Sequence, residues 1–400
     1  MPELDAQTDR PLFKDAFSES GAKTLERELR DVLPGPDPPG LASLAARLAR
    51  GFTALELMDR SRLVTRELCE LLPADPHAAF AVLTGLADRW LANCRVDGDD
   101  LSSFWVMAMI DCVPEIGLKR SDAPIELCLD TLKAMTRCFS AEFAIRPFLI
   151  AEPELVLATL AEWTTDPDPA VRRLVSEGTR PRLPWGIRLQ AFVADPAPLF
   201  PLLTALVDDP DEVVRRSVAN NVNDIAKDHP DLAVELLRRW SDEISRMPDF
   251  ERTARLRLVR HAGRTLVKKG NAEMLALLGY TAATGIEIRG HETEPAVVPG
   301  GGTVRLTWTL ENRSESEKEL LLDYRIRFVK TNGTRNEKVF KGTETRIAAG
   351  ETIEFSRSFS FRPITTRRYY AGEHAAELIV NGEARGEVTW VYEARAASAP

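Results

Sequence analysis

Two stretches of this 400-residue chain echo one another 43 residues apart: Asp166-Pro167-Asp168-Pro169-Ala170-Val171-Arg172-Arg173 and Asp209-Pro210-Asp211-Glu212-Val213-Val214-Arg215-Arg216. Self-similarity at that period marks two-helix units of HEAT type, which bury their apolar faces only by stacking on one another. The spacing therefore predicts an all-α HEAT-like repeat solenoid with a concave surface for an extended partner.

Apolar residues spaced by three and four extend the helical reading from about residue 10 to 280, with breaks at Pro34–Gly40, Pro73–Pro76 and Asp195–Pro198. Several breaks carry Asp-Pro, a dipeptide suited to a helix start: Asp accepts from free N–H groups, and Pro occupies the first turn without losing a hydrogen bond. Beyond Tyr280 the period changes to two, in 303–310, 320–328, 352–359, 376–380 and 386–392, with turns at Thr331–Thr334 and Asn381-Gly382. About seven short strands over about 110 residues predict an all-β immunoglobulin-like sandwich. The expected division is 1–282 for the solenoid and 283–400 for the sandwich, which contains no cysteine and so no inter-sheet disulfide.

The five cysteines, Cys69, Cys94, Cys112, Cys128 and Cys138, lie on apolar stretches without ligand-like spacing, and the five histidines are scattered. Buried free thiols, no metal and no other cofactor are expected. Met1–Arg10 is polar and acidic, and no run of eighteen apolar residues occurs, so a cytoplasmic chain without a membrane partner is expected. Asn312 and Asn332, in glycosylation-type triplets, then read as turn residues.

A net charge of −9 argues at first against a polyanionic partner. The excess is mostly N-terminal: residues 1–140 hold 16 basic against 23 acidic residues, whereas residues 281–400 hold 17 of each. Residues 170–190 carry five arginines and one acid, and residues 252–269 carry seven Lys or Arg and no acid. Local field decides whether phosphates are attracted. Arg257, Arg260, Arg264 and Lys268 recur at helical steps as one stripe of a basic helix. Arg180, Arg182 and Arg188 flank Trp185 on a connection stiffened by Pro181 and Pro184, after a helix that Gly178 can cap.

The first arginine of each echo, Arg172 or Arg215, occupies the position HEAT repeats use for ladder bonds between units. The second has polar neighbours at four-residue steps: Glu177 follows Arg173, and Asn220 and Asp224 follow Arg216. Upstream, Glu142 precedes Arg146 by the same step. Isolated pairs of this kind are ordinary helical ion pairs worth a few tenths of a kcal/mol. Three acids on neighbouring second helices beside a basic surface suit cation stabilisation or water activation.

Ser140–Phe148, Ser176–Trp185 and Ser217–Pro230 resemble the AlkC-type HEAT-like bacterial DNA glycosylases, some of which carry an appended immunoglobulin-like domain. The resemblance implies excision of cationic bases, chiefly 3-methylcytosine and 3-methyladenine, from alkylated double-stranded DNA by a monomer, with the base left stacked. It places Glu142, Glu177 and Asp224 at the catalytic acidic positions, Trp185 against the nucleotide's sugar, and Arg173 and Arg180 on the backbone near the lesion. Arg182, Arg188, Arg216 and the stripe Arg257, Arg260, Arg264 and Lys268 complete the expected DNA contacts. No lysine is among the residues the resemblance places at the catalytic positions, which argues against a Schiff-base lyase step. The competing reading is a non-enzymatic HEAT scaffold that binds nucleic acid or protein, since fold alone does not give chemistry.

Overall fold

The computed structural model describes residues 12–97, 100–119, 123–364 and 367–394. Met1–Arg10 and the side chain of Cys94 lie outside the described residues. The chain forms two compact units: one holds everything through Asp228 together with Asp249–Leu258, the other His229–Pro248 together with everything from Val259.

In the first unit the repeated motif builds the same local structure twice. Asp166 accepts from Asp168 N at 2.9 Å, and Asp168, the N-cap of the helix Pro169–Gly178, accepts from Ala170 N at 2.8 Å. One period later Asp209 accepts from Asp211 N at 2.9 Å, and Asp211 accepts from Val213 N at 2.7 Å at the start of the helix Glu212–Asp228. The first aspartate folds a turn and the second caps a helix. Asp-Pro thus opens the helices Pro76–Asp97 and Pro169–Gly178, whereas Pro210 lies in the turn before its helix.

The first arginines close these turns. Arg172 Nη1 donates to Asp166 O at 2.8 Å and Pro167 O at 3.1 Å, and Arg215 Nη1 likewise donates to Asp209 O and Pro210 O. Arg172 also reaches the next repeat, where its fork meets Asp209 at 2.6 and 3.0 Å. The ladder expected of Arg172 is formed. Among the described residues Arg215 makes no equivalent rung; the residue one period beyond Asp209 is Arg252 and not an acid.

Elsewhere in this unit Trp105 is buried against Phe17, Phe52 and Trp90, and joins the helices Phe104–Ile110 and Pro76–Asp97 to the N-terminal segment. Cys112 and Cys128 are buried, but Cys69 and Cys138 are only half-buried; all four are free thiols. Among the described residues no helix is long and apolar enough to cross a membrane.

The second unit carries the helices Pro230–Asp242, Arg264–Lys268 and Ala272–Leu277 and eight strands: β1 (Ile286–Glu294), β2 (Val297–Pro299), β3 (Thr303–Asn312), β4 (Lys318–Val329), β5 (Arg335–Ile347), β6 (Thr352–Ser360), β7 (Gly372–Val380) and β8 (Glu383–Glu393). They form sheets of order β1-β3-β6 and β2-β8-β7-β4-β5. Apolar residues alternating along the strands meet in one core that includes Trp308, Phe355, Phe361 and Trp390, and packing takes the place of the absent disulfide. The Asn381-Gly382 turn has a further task. Asn381, at φ 47°, accepts from Leu321 N at 2.7 Å and donates to Thr281 O at 2.7 Å. A Cβ on Gly382 would stand 2.6 Å from Leu275 and 2.9 Å from the Gly270 Cα, so the turn docks the helical segment on the sandwich.

Two stability measurements follow. Asp209→Asn leaves the enclosed Arg172 cation without its counter-charge and should cost roughly 3 kcal/mol by urea unfolding. Arg216→Ala, which removes an exposed pair, should cost under about 1 kcal/mol; equal costs would show that the ladder contributes nothing beyond a surface pair. The second concerns Asp111, whose carboxyl is pushed up to about 7, mainly by burial and then by Glu115, with Arg62 opposing. An unfolded aspartate titrates near about 3.9, so the unfolded chain releases this proton first. Stability held below that pH should decline as pH rises to about 7 and then level off. The gain from Asp111→Asn should therefore be larger at pH ~8 than at pH ~5, and a pH-independent gain would contradict the assignment.

Candidate active site

The helices Pro169–Gly178 and Glu212–Asp228 lie side by side in the first unit with a polar seam between them. Ser176 Oγ donates to Ser217 Oγ at 2.7 Å, and Asn221 Nδ2 donates to Ser176 O at 2.8 Å and to Thr179 Oγ1 at 3.1 Å. Asn221 is fully buried, so these bonds fix the register where water cannot compete.

This register sets two of the three acids. Glu177 accepts from Ser217 Oγ at 2.7 Å through one oxygen and from Arg180 Nη1 at 2.6 Å through the other. Asp224 accepts from Arg180 Nε at 2.9 Å and from Lys227 Nζ at 2.7 Å. Arg180 thus bridges carboxylates from two helices. Burial works against its charge, but the bonds and field of Asp224 and Glu177 outweigh that and hold its pKa above the ordinary value.

The third acid departs from the helical spacing read in the sequence. Glu142 lies in a turn before the helix Arg146–Ala151, so the four-residue helical step to Arg146 does not apply. It accepts instead from Arg173 Nη1 at 2.9 Å and from Ser140 Oγ at 2.8 Å. Arg146 turns inward and donates to the carbonyls of Gly178, Arg180 and Ile187. Gly178 is not a left-handed cap either. It is the last residue of its helix, and a Cβ there would meet Ile145 at 2.7 Å.

Glu142, Arg173, Glu177 and Arg180 line one cleft of about 410 Å³ with Trp185 and an apolar wall of Phe104, Met107, Phe139 and Phe143. Trp185 is 65% exposed and has φ 64°, a left-handed conformation costly for a side chain of its size. It does not pack into the next repeat. Asp224 stands behind Arg180 with its side chain 1% exposed.

Apart from Arg173 and Arg180, which hold the acids, the expected DNA contacts fall into two groups. Arg182 is taken by Asp228 at 2.6 Å through both arms of its fork, Arg216 by Glu212 at 2.9 Å, and Arg260 by Glu344 at 2.6 and 2.7 Å. Arg264 donates to His261 O at 2.6 Å. Arg188, Arg257 and Lys268 are exposed and make no ion pair among the described residues.

The single basic helix is not formed. The chain makes two helices, Asp249–Ala262 and Arg264–Lys268, parted at Gly263, where a Cβ would meet Met274 at 2.5 Å. Of the expected stripe, Arg257 belongs to the first unit and the other three residues to the second. Arg255, on the same segment, is buried against Asp208.

Sequence reasoning missed two side chains at the site. Lys227 lies three residues beyond Asp224, close enough on a helix to be found by spacing, and it removes the argument from an absent lysine. Ser217 carried no local signal, because its contact with Glu177 spans 40 residues.

Comparison with known proteins agrees with this architecture. Residues 287–392 match the family model of the C-terminal Ig-like domain of the uncharacterised protein YhaZ. The YhaZ protein of Bacillus subtilis (strain 168) is 36% identical over 331 residues, 83% of this chain and 86% of that protein. The alkylpurine DNA glycosylase AlkC of Pseudomonas fluorescens, solved bound to DNA containing an abasic site analog, superposes with a TM-score of 0.84 at 32% identity, over 96% of this chain and 100% of that one. With identity at this level along most of its length and the same order of helical repeats and sandwich, the chain belongs to the AlkC-type family that includes YhaZ.

Proposed function

We propose that this protein is a DNA glycosylase that hydrolyses the N-glycosidic bond of cationic alkylated bases, 3-methylcytosine and 3-methyladenine, in double-stranded DNA. The observation that carries the reading is the gathering of Glu142, Glu177 and Arg180-bridged Asp224 beside the exposed, strained Trp185. The relative solved with an abasic site analog supports it, since an abasic site is what base removal leaves.

The chemistry needs little help for the leaving group. A base alkylated to a cation departs neutral, and the developing positive charge is on the sugar. A carboxylate ~4 Å from that charge contributes on the order of 4 kcal/mol at an effective dielectric of about 20, before desolvation costs. Glycoside hydrolases use carboxylates similarly against an oxocarbenium-like transition state. In this chain the acids are held by Arg173, Arg180 and Lys227. A backbone phosphate entering the cleft competes for the forks of Arg173 and Arg180 and turns carboxylate charge toward the sugar. One acid orients the attacking water, and the negative face of Trp185 supports the cationic sugar. The base stays stacked while the sugar is contacted from the backbone side. Lys227 is paired with Asp224 and offers no free amine for a Schiff base, so the reaction ends at the abasic site. The protein acts as a monomer in the cytoplasm.

Methylated-base release from alkylated duplex DNA tests the reading. Glu177→Gln and Asp224→Asn should each lower the single-turnover rate by roughly 10³-fold with DNA binding largely kept, and without strand scission before alkali. Release no faster than the spontaneous rate, or variants as active as the wild type, would leave the scaffold reading. A second measurement concerns phosphates: replacing Arg188, Arg257 and Lys268 by Ala should reduce the slope of log affinity against log salt by up to about 0.9 for each phosphate no longer neutralised. An unchanged slope would remove these three from the DNA interface.

A further inference from the structure

We infer that Arg146 is a positioning residue for Trp185: a buried guanidinium that ties together both ends of the segment on which the tryptophan stands. Its kinetic consequence rests on the glycosylase reading above; its structural consequence does not. Arg146 has no exposed surface, and none of its hydrogen bonds goes to an acid. Nη1 donates to Gly178 O and Arg180 O, both at 2.8 Å, where the segment leaves its helix. Nε donates to Ile187 O at 2.7 Å and Nη2 shares that acceptor, where the segment returns. One planar group therefore closes a loop of about ten residues, a geometry that a lysine's single ammonium does not match.

Side chains hold the first half of the segment, where Arg180 bridges Glu177 and Asp224 and Arg182 pairs with Asp228. Around Trp185 the internal backbone bonds are long, with Gly186 N to Leu183 O at 3.2 Å and Leu189 N to Pro181 O at 3.3 Å. Against these stands a tryptophan held at φ 64°, a conformation that persists only when the surroundings over-determine it. Gly186 fits the same arrangement: a Cβ there would come within 3.1 Å of Leu183 and 3.3 Å of Arg146 Nε, so the residue after Trp185 leaves room for both side chains. Burial lowers the Arg146 pKa to about 10, with Arg180 acting in the same direction and Asp224, Glu142 and Glu177 opposing, so the group remains a cation at neutral pH. A buried cation on carbonyl dipoles is an expensive way to fill space, and an apolar side chain would do that at lower cost. What the guanidinium adds is the fixed distance between the two ends of the loop, and with it the placement of Trp185 at the mouth of the cleft.

The test compares wild type, Arg146→Lys and Arg146→Ala, the last with and without millimolar guanidinium ion. Amide hydrogen exchange at Gly186 and Leu189 should accelerate in both variants while the helix Glu212–Asp228 keeps its protection. The maximal single-turnover rate of base release should fall about 100-fold with DNA affinity little changed, and guanidinium should restore part of the rate in Arg146→Ala. If Arg146→Ala does not fold, Arg146→Lys carries the comparison. Unchanged exchange at the two amides, or loss of protection throughout the helix Glu212–Asp228 without rescue, would overturn the inference. Wild-type protein that releases no base would refute the glycosylase reading instead, and the exchange data would still decide whether Arg146 positions the loop.

Discussion

The pairing of Arg172 with Asp209 sets the register on which the site depends. It joins the start of one inner helix to the turn before the next, and Asn221 locks the same two helices further along. A helix advances about 5.4 Å per turn. A slip of one turn would therefore part Glu177 from Ser217 and Arg180 from Asp224, contacts that span 40 and 44 residues. The repeat does more than stack helices: its polar rungs convert a sequence period into a fixed distance between acids.

Legibility in the sequence followed how local the determining interaction was. The aspartate turns, caps and strands are built from residues within a few positions of one another, and periodicity located them. The ladder was readable because a repeat carries its partner one period away. Failure came where a local rule was applied across a break. Glu142 and Arg146 are four residues apart, but the helix begins only at Arg146. Arg257 and Arg264 were read as one stripe across Gly263, whose lack of a side chain is what Met274 requires. Arg180 and Arg182 carry arginine's usual phosphate signature, and nothing near them in sequence showed that Asp224 would take one nitrogen of Arg180 and Asp228 the fork of Arg182.

In the proposed reaction the charge arrangement at the cleft ties binding to chemistry. Glu142, Glu177 and Asp224 are matched by Arg173, Arg180 and Lys227, with Arg146 below on carbonyls. Carboxylates this enclosed would otherwise repel one another, and the cations beside them hold them in place. That same neutralisation weakens any one acid as a stabiliser of positive charge, because an arginine fork already holds it. In the proposed reaction the polyanion resolves the conflict, since phosphates offer the arginines an alternative partner at the moment a cationic sugar must form. The acids then act at full strength only when DNA is bound. Trp185 has to be in position before that exchange, because stacking and cation–π contacts fall away with small displacements. In that proposed reaction a loop held beside a set of exchangeable ion pairs divides the labour accordingly: geometry is fixed in advance by a buried arginine, and charge is released by the ligand.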